Sequence, residues 1–378
     1  MTDSYPPPVG APVMMGSGAP TVRCYHCLHT FAWDAQTIYR RELDTGSWER
    51  ISLADITDPV ERDEAQRNAY VRCPNPATGS EAEHYLPLGY ARYLPPLVIG
   101  LVGASHVGKT TLLATMVDEI GRGRLTPYGF TTRPLVDSVH ADFQKDNFNV
   151  LLGEGAAVAA TPPASEGVEL ADAFLLTKGS SQLPVAFFDV GGESLAEDDP
   201  AIRFIQAVSA LIFVVDPDRA LGRIDGSRDQ RGLPSSVGDR AFNTVLSRLS
   251  PSGSSTVQYF DKPAAIVLAK ADTLRFEPVL GRWLRQEDVA AGVFDPGSIR
   301  AESRDLYAFL YQNDATPWLA PFKSFTRCTL HAVSATGGNP VDKSYRRGLR
   351  PRRVLEPLVA ILAMKGMIER PGTGQVGW

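Results

Sequence analysis

Long apolar stretches are absent from this chain of 378 residues. The longest, from Leu94 to Val102, is far shorter than the roughly 20 residues that a transmembrane helix needs. Residues 1–20 also lack the basic start and apolar centre of a secretory signal peptide. These absences predict a cytoplasmic protein without a membrane span.

The chain also lacks an excess of positive charge. It has 38 Lys and Arg against 43 Asp and Glu, which gives a formal net charge of −5. That balance creates no overall field that would attract nucleic acid or an acidic membrane surface, so nucleic acid is not an expected partner. One local basic run extends from Lys343 to Arg353. We interpret it as a solvated loop or, alternatively, as a contact for a phosphate-rich partner.

Cysteine is scarce, and four residues in a chain of this length do not form a disulfide framework. Cys24 and Cys27 are separated by two residues, and Cys73 lies further along the chain. This pattern is more typical of metal binding, and tetrahedral Zn²⁺ takes four ligands. Because Pro76 stands where a second Cys-x-x-Cys pair would end, His84 is the best candidate for the fourth ligand.

The sequence therefore predicts a structural Zn²⁺ site formed by Cys24, Cys27, Cys73 and His84. His26 and His29 are alternative fourth ligands. A redox-active cysteine pair, or a ribbon that has lost its metal, are alternative interpretations of the same pattern. A small module gains stability from a bound metal because its own core is small.

Three segments are predicted along the chain. Residues 1–20 contain few bulky apolar groups, which predicts a disordered tail. Residues 21–92 form a zinc-ribbon-like module with a partner-binding rather than a chemical role, and residues 93–378 form a larger domain. The boundary is Tyr93-Leu94-Pro95-Pro96.

From Leu97 onward, apolar runs alternate with helical patterns, which is typical of a parallel α/β sheet flanked by helices. Strands are predicted at Leu97–Val102, Ala173–Thr177, Val185–Asp189, Ala210–Val215, Ala264–Ala269 and Cys328–Ser334. Helices are predicted at Thr110–Ile120, Leu135–Leu151, Pro200–Val208, Asp239–Leu249, Ser303–Leu310 and Val354–Ile368.

A phosphate-binding loop lies directly between the first of these strands and its helix. Its residues are Gly103-Ala104-Ser105-His106-Val107-Gly108-Lys109-Thr110, which match the P-loop spacing. The backbone N–H groups of such a loop and of the following helix converge on phosphate oxygens. Lys109 is expected to reach the β- and γ-phosphates, and the Thr110 hydroxyl to bind Mg²⁺. The expected nucleotide contacts are Gly103, Ser105, His106, Val107, Gly108, Lys109, Thr110 and Thr111.

A second motif follows the apolar strand that ends in Asp189. This carboxylate is expected to hold Mg²⁺, directly or through water. Gly192, three residues later, can present its backbone N–H to a γ-phosphate. Because that contact exists only before hydrolysis, the segment is expected to work as a switch.

Two further strand ends carry residues suited to reading a base. Asp272 follows the strand Ala264–Ala269, and its carboxylate can accept both donors on one edge of guanine, a pair that adenine lacks. The aliphatic stem of Lys270 can lie along the base plane. Ser334 and Ala335 follow the last strand, where the backbone N–H of Ala335 can meet the guanine O6.

The order of these motifs resembles that of a Ras-like P-loop GTPase of the translation-factor-related (TRAFAC) class. The resemblance covers about residues 97–368 and rests on the phosphate loop, Asp189-x-x-Gly192, Ala269-Lys270-Ala271-Asp272 and Ser334-Ala335. With the cysteine-bearing module in front, the chain is similar to bacterial double-GTPase proteins associated with conflict or defence gene clusters.

This resemblance implies the α/β fold of a P-loop NTPase over residues 93–378, with a mostly parallel sheet flanked by helices. It implies a switch that binds GTP and GDP with Mg²⁺, hydrolyses GTP, and acts with a protein effector or a GTPase-activating partner. Lys109, Gly192 and Glu193 are the catalytic residues that it implies.

Three departures from the family pattern bear on activity. Ala269 stands where the family has Asn or Thr, so one hydrogen bond that supports base binding is missing. Glu193 stands where Ras-like enzymes carry a Gln that orients water, so we expect slow intrinsic hydrolysis. The threonine that closes over Mg²⁺ is assigned to Thr161, with Thr131 and Thr132 as alternatives.

Other functions stay open at this point. Glu193 and the lack of an assigned arginine finger are compatible with a scaffold that binds nucleotide without hydrolysing it, and Ala269 is compatible with an ATPase. A charge-stabilising arginine would come from a partner or from the basic run Lys343–Arg353.

Overall fold

A computed structural model describes residues 19–42, 45–75, 83–153, 155–156, 168–191, 200–223, 238–250, 259–286, 292–342, 344–345 and 348–377. The tail that the sequence predicts over residues 1–20 lies almost wholly outside these ranges. Within them, every helix is too short or too polar to cross a membrane.

In the described part of the N-terminal module there are two small antiparallel sheets and one α-helix. Its strands are β1 (Thr21–Arg23), β2 (Thr30–Ala32), β3 (Ile38–Arg41), β4 (Trp48–Ile51), β5 (Tyr70–Arg72) and β6 (Tyr85–Pro87). Strands β1 and β2 form a hairpin, and the other sheet has the order β4-β3-β5-β6. Helix α1 (Pro59–Arg67) begins where the Asp58 carboxylate accepts from the backbone N–H of Val60 at 2.7 Å, which satisfies a donor that a helix start leaves open.

A seven-stranded sheet forms the centre of the larger domain in the described part of the chain. Its strands are β7 (Leu97–Gly103), β8 (Thr131–Pro134), β9 (Val168–Lys178), β10 (Ser181–Gly191), β11 (Ala210–Val215), β12 (Phe260–Leu268) and β13 (Phe325–Ala332). The strand order is β13-β12-β11-β7-β10-β9-β8. The five strands from β13 to β10 are parallel, and β9 is antiparallel to both of its neighbours.

Helices cover both faces of this sheet. They are α2 (Lys109–Gly121), α3 (Asp137–Phe143), α4 (Pro200–Ala207), α5 (Pro217–Ala220), α6 (Arg240–Leu249), α7 (Pro278–Arg285), α8 (Pro296–Gln312), α9 (Ala320–Ser324) and α10 (Glu356–Met364). Shorter 3₁₀ helices span Leu88–Arg92, Thr126–Tyr128, Ala271–Leu274, Thr316–Leu319 and Thr373–Gln375. Strands β7 and β11 are buried at every residue, as expected for strands covered on both faces.

The two faces of the sheet bury separate apolar clusters. On one face, Leu101 and Ile212 pack with residues of α2 and α10. On the other, Phe213 packs in a cluster that continues into the module and includes Trp33 and Tyr90. The module therefore shares an apolar core with one face of the sheet.

Polar contacts also join the module to the sheet domain. The Arg23 guanidinium donates to the carbonyl oxygen of Leu28 at 3.3 Å and to that of Ala207, the last residue of α4, at 2.6 Å. A cation at this position interacts favourably with the negative end of a helix. Arg23 thus connects the cysteine-bearing turn of the module to α4.

The sequence prediction of a mixed α/β fold with a mostly parallel sheet is confirmed. Several boundaries differ. The helix predicted over Leu135–Leu151 begins at Asp137 and continues beyond Phe143 as a π-helix over Gln144–Gly153. Helix α8 begins seven residues before the predicted Ser303, because the Asp295 carboxylate caps its first turn and Pro296 occupies its first position. Strand β8 was not predicted.

Candidate phosphate, base and metal sites

The phosphate loop lies at the carboxyl end of β7, in the middle of the sheet. Strand β7 has β10 on one side and β11 on the other. His106 has a φ of +67° and Gly108 a φ of +100°, directly before the first residue of α2. Two left-handed residues within the loop turn the chain sharply, and a glycine adopts such a conformation without steric cost.

Gly103 leaves no space for a side chain. A Cβ atom there would lie 2.8 Å from the carbonyl oxygen of Val214 and 3.0 Å from Cγ2 of Val107. Val107 is fully buried, so its side chain packs inside the domain and does not face a ligand. Ser105 and His106 are exposed, which places the open side of the loop at these two residues.

Lys109, Thr110 and Asp189 meet beside the loop. The Lys109 ammonium donates to the carbonyl oxygens of Gly103 at 2.8 Å and of Ala104 at 3.2 Å, and lies 3.6 Å from Asp189 Oδ1. The Thr110 hydroxyl donates to Asp189 Oδ2 at 3.2 Å. These side chains come together because β10 lies parallel to β7 and the register of the two strands pairs Gly191 with Gly103.

The chemistry of this group suits a magnesium ion. Burial raises the pKa of Asp189, and Lys109 offsets part of that effect. The Oδ1 atom of Asp189 is buried without a hydrogen-bond donor. A carboxylate and a hydroxyl are hard oxygen ligands of the kind that Mg²⁺ takes, so Thr110 and Asp189 fit such an ion.

The base-reading candidates lie at the carboxyl ends of two neighbouring parallel strands. Asp272 lies in the 3₁₀ turn after β12, and Ser334 follows β13. The Ser334 hydroxyl donates to Asp272 Oδ1 at 2.5 Å and accepts from the backbone N–H of Gly337 at 2.9 Å. Ala335 lies next to this contact and is half-buried. The structure thus fixes one oxygen of the carboxylate and brings Asp272, Ser334 and Ala335 together.

Lys270 connects the base side to the phosphate side. Its ammonium donates to the His106 carbonyl oxygen at 3.0 Å and to Asp216 Oδ2 at 2.7 Å. Asp216 is buried and directly follows β11. Asp216 was not predicted from the sequence. It carries the same signal as Asp189, since both are carboxylates at the end of an apolar strand.

Two more residues contact the loop from segments distant in the chain. Asp239 Oδ2 accepts from the backbone N–H of Ala104 at 3.0 Å, while Oδ1 accepts from that of Ala241 in the first turn of α6 at 2.7 Å. The Arg219 guanidinium donates to the Ser105 carbonyl oxygen at 3.1 Å. Neither residue belongs to a motif, so the sequence carried no signal for them.

The other predicted site residues lie either outside the described ranges or away from the phosphate loop. Thr161, Gly192 and Glu193 lie outside the described residues. Thr131 and Thr132, the alternatives for the Mg²⁺-closing threonine, lie in β8, and the Thr132 hydroxyl donates to the Ile120 carbonyl oxygen at 2.9 Å. Ile120 lies at the end of α2 opposite the phosphate loop, so the structure holds Thr132 away from that loop.

The four predicted zinc ligands form a buried cluster in the module. Cys24, Cys27, Cys73 and His84 each present one ligand atom, and all four atoms lie within 4.8 Å of one another. The Cys27 and Cys73 sulfurs are 3.7 Å apart, and the Cys24 sulfur lies 3.4 Å from His84 Nδ1. Zn–S and Zn–N bonds of about 2.3 and 2.0 Å at tetrahedral angles imply separations of about 3.8 and 3.5 Å. The donor set therefore fits a tetrahedral zinc ion.

Hydrogen bonds of the backbone shape the first pair of ligands. The N–H of Cys24 donates to the His29 carbonyl oxygen at 2.9 Å, and the N–H of His26 to the Cys24 sulfur at 3.4 Å. Burial raises the pKa of Cys24, whereas hydrogen bonds from Cys24 and Cys73 lower that of Cys27. The thiols share protons through these hydrogen bonds. A divalent cation that binds the sulfurs as thiolates displaces those protons. His26 stacks on the His84 ring instead of joining the cluster.

Comparisons with known proteins give one family and several solved structures. A family model described as Double-GTPase 2 matches residues 97–305. A bacterial selenocysteine-specific elongation factor, EF-Sec, is 16% identical over 64% of this chain and 26% of its own, with a TM-score of 0.27. The Saccharomyces cerevisiae Ski7 GTPase-like domain bound to GTP is 11% identical over 74% of this chain and 52% of its own, with a TM-score of 0.32. The chain thus spans about a quarter of the first of these solved structures and about half of the second. No curated protein matches it.

Proposed function

The chain belongs to the Double-GTPase 2 family, and from that membership and the site geometry we propose that it binds GTP and GDP with Mg²⁺ and hydrolyses GTP as a nucleotide-dependent switch. One observation carries the proposal. Lys109, Thr110 and Asp189 meet at one end of the loop, and Lys270 connects that loop to the Asp272–Ser334 pair. Phosphate chemistry and base recognition are thereby joined in one continuous site.

On the phosphate side, each residue of the loop has a proposed role. The ammonium of Lys109 leaves the loop carbonyls and pairs with the β- and γ-phosphates. Backbone N–H groups of the loop and of the start of α2 donate to phosphate oxygens. Thr110 and Asp189 hold Mg²⁺, which supplies charge stabilisation to the transferring phosphoryl group.

On the base side, Asp272 is proposed to accept the two donors of the guanine edge. The Ser334 hydroxyl holds Oδ1 at 2.5 Å, which fixes the carboxylate before the base arrives and reduces the ordering cost of binding. The stem of Lys270 lies along the base, while Asp216 holds its ammonium. Ala335 donates to the guanine O6.

Hydrolysis and switching are assigned to residues beyond the described ranges. Gly192 is proposed to bind the γ-phosphate, Glu193 to place the attacking water, and Thr161 to close over Mg²⁺. Because Glu193 cannot donate as a glutamine amide does, intrinsic turnover is expected to be slow and to rise with a GTPase-activating partner. A protein effector, a cytoplasmic location and a role in bacterial defence belong to the same proposal.

The module is proposed to hold a structural Zn²⁺ through Cys24, Cys27, Cys73 and His84. The separations of their ligand atoms support this assignment. Because Arg23 connects the cysteine-bearing turn to α4, a metal that orders the turn also orders this contact.

Competition binding tests the proposal. Fluorescent GDP is bound to the purified chain with Mg²⁺ and displaced by unlabelled GTP or ATP. We expect GTP to compete and ATP not to, and Asp272→Ala to remove this preference. Asp261→Ala, an exposed change at the opposite end of β12, is the control and should keep it. Equal competition by ATP, or no nucleotide binding, would refute the assignment. If GTP binds selectively, phosphate release separates a GTPase from a scaffold that does not hydrolyse.

A further inference from the structure

Three cationic side chains of the described residues surround the phosphate loop. The carbonyl oxygens of residues 103–106 each accept a hydrogen bond from one of them. Lys109 donates to the carbonyls of Gly103 and Ala104, Arg219 to that of Ser105, and Lys270 to that of His106. Lys109 and Lys270 were predicted from the sequence to contact the nucleotide, whereas Arg219 was not.

The three cations differ in their anionic partners. Lys270 is held 2.7 Å from the buried Asp216 carboxylate, and Lys109 lies 3.6 Å from Asp189. Among the residues that the structure describes, no carboxylate pairs with Arg219, whose one hydrogen bond goes to a neutral carbonyl. A guanidinium forms stronger bonds with phosphate oxygens than with a carbonyl, because both partners are then charged and the geometry is bidentate.

The backbone around Arg219 is firmly anchored. Helix α5 follows β11, which is paired with β7, so its residues stand beside the loop. Asp216 Oδ1 accepts from the backbone N–H of Asp218 at 2.9 Å, and Ala220 is fully buried. The Arg219 side chain is only half-buried, so it can move while its backbone stays fixed.

The basic run Lys343–Arg353 is a poorer source of a charge-stabilising arginine than Arg219 is. Arg352 and Arg350 pair through their backbones with Ser334 and Thr336, at the base end of the site. The Arg353 guanidinium is buried against Glu302 at 2.7 Å. Among the described arginines of this run, none contacts the phosphate loop.

We propose that Arg219 is the charge-stabilising arginine of this site, supplied by the chain itself, and that its guanidinium leaves the Ser105 carbonyl to bind the terminal phosphate of GTP. This inference rests on the proposed function. In the reaction, water adds to the γ-phosphorus and the bond from that phosphorus to the β–γ bridging oxygen breaks. The bond pair stays on GDP, and the water gives inorganic phosphate and one proton to solvent. Arg219 balances the negative charge that develops on the β–γ bridging oxygen and the γ-phosphate oxygens.

The test compares Arg219→Ala, Arg219→Lys and Arg223→Ala with the unchanged chain. Arg223 is the matched control, because it lies in the same segment but faces Asp218 and Glu277 at about 4 Å. Affinities are measured for GDP, for a non-hydrolysable GTP analogue, and for GDP with aluminium fluoride.

We expect Arg219→Ala to leave GDP affinity within about twofold while weakening the GTP analogue about tenfold, the loss of one charge-assisted contact. The aluminium fluoride complex should weaken further, and turnover should fall by about 10³. Arg219→Lys should recover part of the analogue affinity, and Arg223→Ala should match the unchanged chain.

An unchanged ratio of analogue to GDP affinity in Arg219→Ala would overturn the inference, as would an equal loss for both nucleotides. These outcomes are separable from failure of the proposed function. If GTP outcompetes ATP but Arg219→Ala keeps the ratio, only the inference fails. If ATP competes equally while Arg219→Ala still weakens triphosphates selectively, the guanine assignment fails and Arg219 keeps its role.

Discussion

At the scale of single residues, the shape of the phosphate loop depends on close packing at Gly103. Gly103 faces the Val214 carbonyl oxygen so closely that a Cβ atom would lie 2.8 Å from it. Real Cβ contacts do not reach this distance, so a side chain would push the phosphate loop away from β11. The loop conformation is thus set by packing against a neighbouring strand as well as by its own glycines.

Gly103→Ala should therefore damage both stability and binding. Overpacking of this kind costs about 1–3 kcal/mol, and displaced loop N–H groups should lower nucleotide affinity at least about tenfold. Urea unfolding and fluorescent GDP binding measure the two effects. Gly121→Ala, at the other end of α2 with open space around it, is the control and should change neither. Normal binding by Gly103→Ala would show that the loop tolerates the shift.

Residues that belong to motifs could be predicted from the sequence because loop and strand-end spacings are local. Asp216, Arg219 and Asp239 could not, since they contact loop residues or Lys270 across 54 to 135 positions of chain. Which distant side chain reaches a given loop atom depends on strand order, and local sequence patterns carry no signal for strand order. Whether the predicted motif residues bind nucleotide stays a prediction.

At the scale of elements, the module depends on two short segments that bring four ligands together. Cys24 and Cys27 come from the turn after β1, while Cys73 and His84 flank the ends of β5 and β6. The backbone N–H of Cys73 donates to the His84 carbonyl oxygen at 3.1 Å. The Cys-x-x-Cys spacing predicted the first pair, and the β5–β6 pairing explains why His84 is the residue that completes the set.

Replacing one ligand should release the metal. We expect the purified chain to retain about one zinc ion after dialysis, and Cys73→Ala to lose it and to melt at a lower temperature, because metal binding contributes directly to folding of such sites. Cys328→Ala, a buried cysteine in β13, is the matched control and should keep the ion. Atomic spectroscopy measures the zinc content of each protein. Retention of zinc by Cys73→Ala would contradict the proposed zinc site.

At the scale of the whole molecule, one buried ionic cluster joins three elements around the base side. Glu302 in α8 accepts from the Ala332 N–H of β13 at 2.9 Å, and lies 3.0 Å from His331 and 2.7 Å from Arg353. Burial alone would raise the pKa of Glu302, but Arg353 and His331 outweigh it and lower the pKa. The cluster therefore holds together the strand end and the segment that position Ser334.

Acid should weaken this cluster. A carboxyl whose pKa is lower in the folded than in the unfolded state stabilises the fold above its ordinary value of 4.5 and loses that contribution as pH falls below it. Glu302→Gln should cost about 3 kcal/mol at pH 7, the lower end for breaking a buried ion pair, because it removes the nearer of the two carboxylates that face Arg353 and leaves Glu356 at 3.7 Å. The difference from the unchanged chain should shrink between pH 5 and 3.

Urea unfolding at several pH values measures this effect, with Glu369→Gln as an exposed control. Burial raises the pKa values of Asp172 and Asp189, so their contributions change in the opposite direction. Comparing Glu302→Gln with the unchanged chain at the same pH isolates the contribution of Glu302 to the free energy of unfolding. A cost that is independent of pH would contradict the account.

The whole-molecule architecture was only partly predictable. Alternating apolar runs identified the parallel strands β7, β10, β11, β12 and β13. The antiparallel hairpin of β9 and β10, the edge strand β8, and the shared core of module and sheet were not foreseen. These features depend on which surfaces meet after folding, and an apolar run looks the same whether its partner is parallel or antiparallel.

The most direct measurement of the central claim exchanges the base that Asp272 reads. Guanine offers two donors to a carboxylate, whereas xanthine carries a carbonyl oxygen in place of the amino group. Asp272→Asn supplies one acceptor and one donor, which match xanthine. Its single amide oxygen has two lone pairs, so it can accept from both xanthine and the Ser334 hydroxyl. We predict that the unchanged chain prefers GTP to xanthosine triphosphate and that Asp272→Asn reverses the order. The same preference in both proteins would contradict the account, since Asp272 would then not face the base.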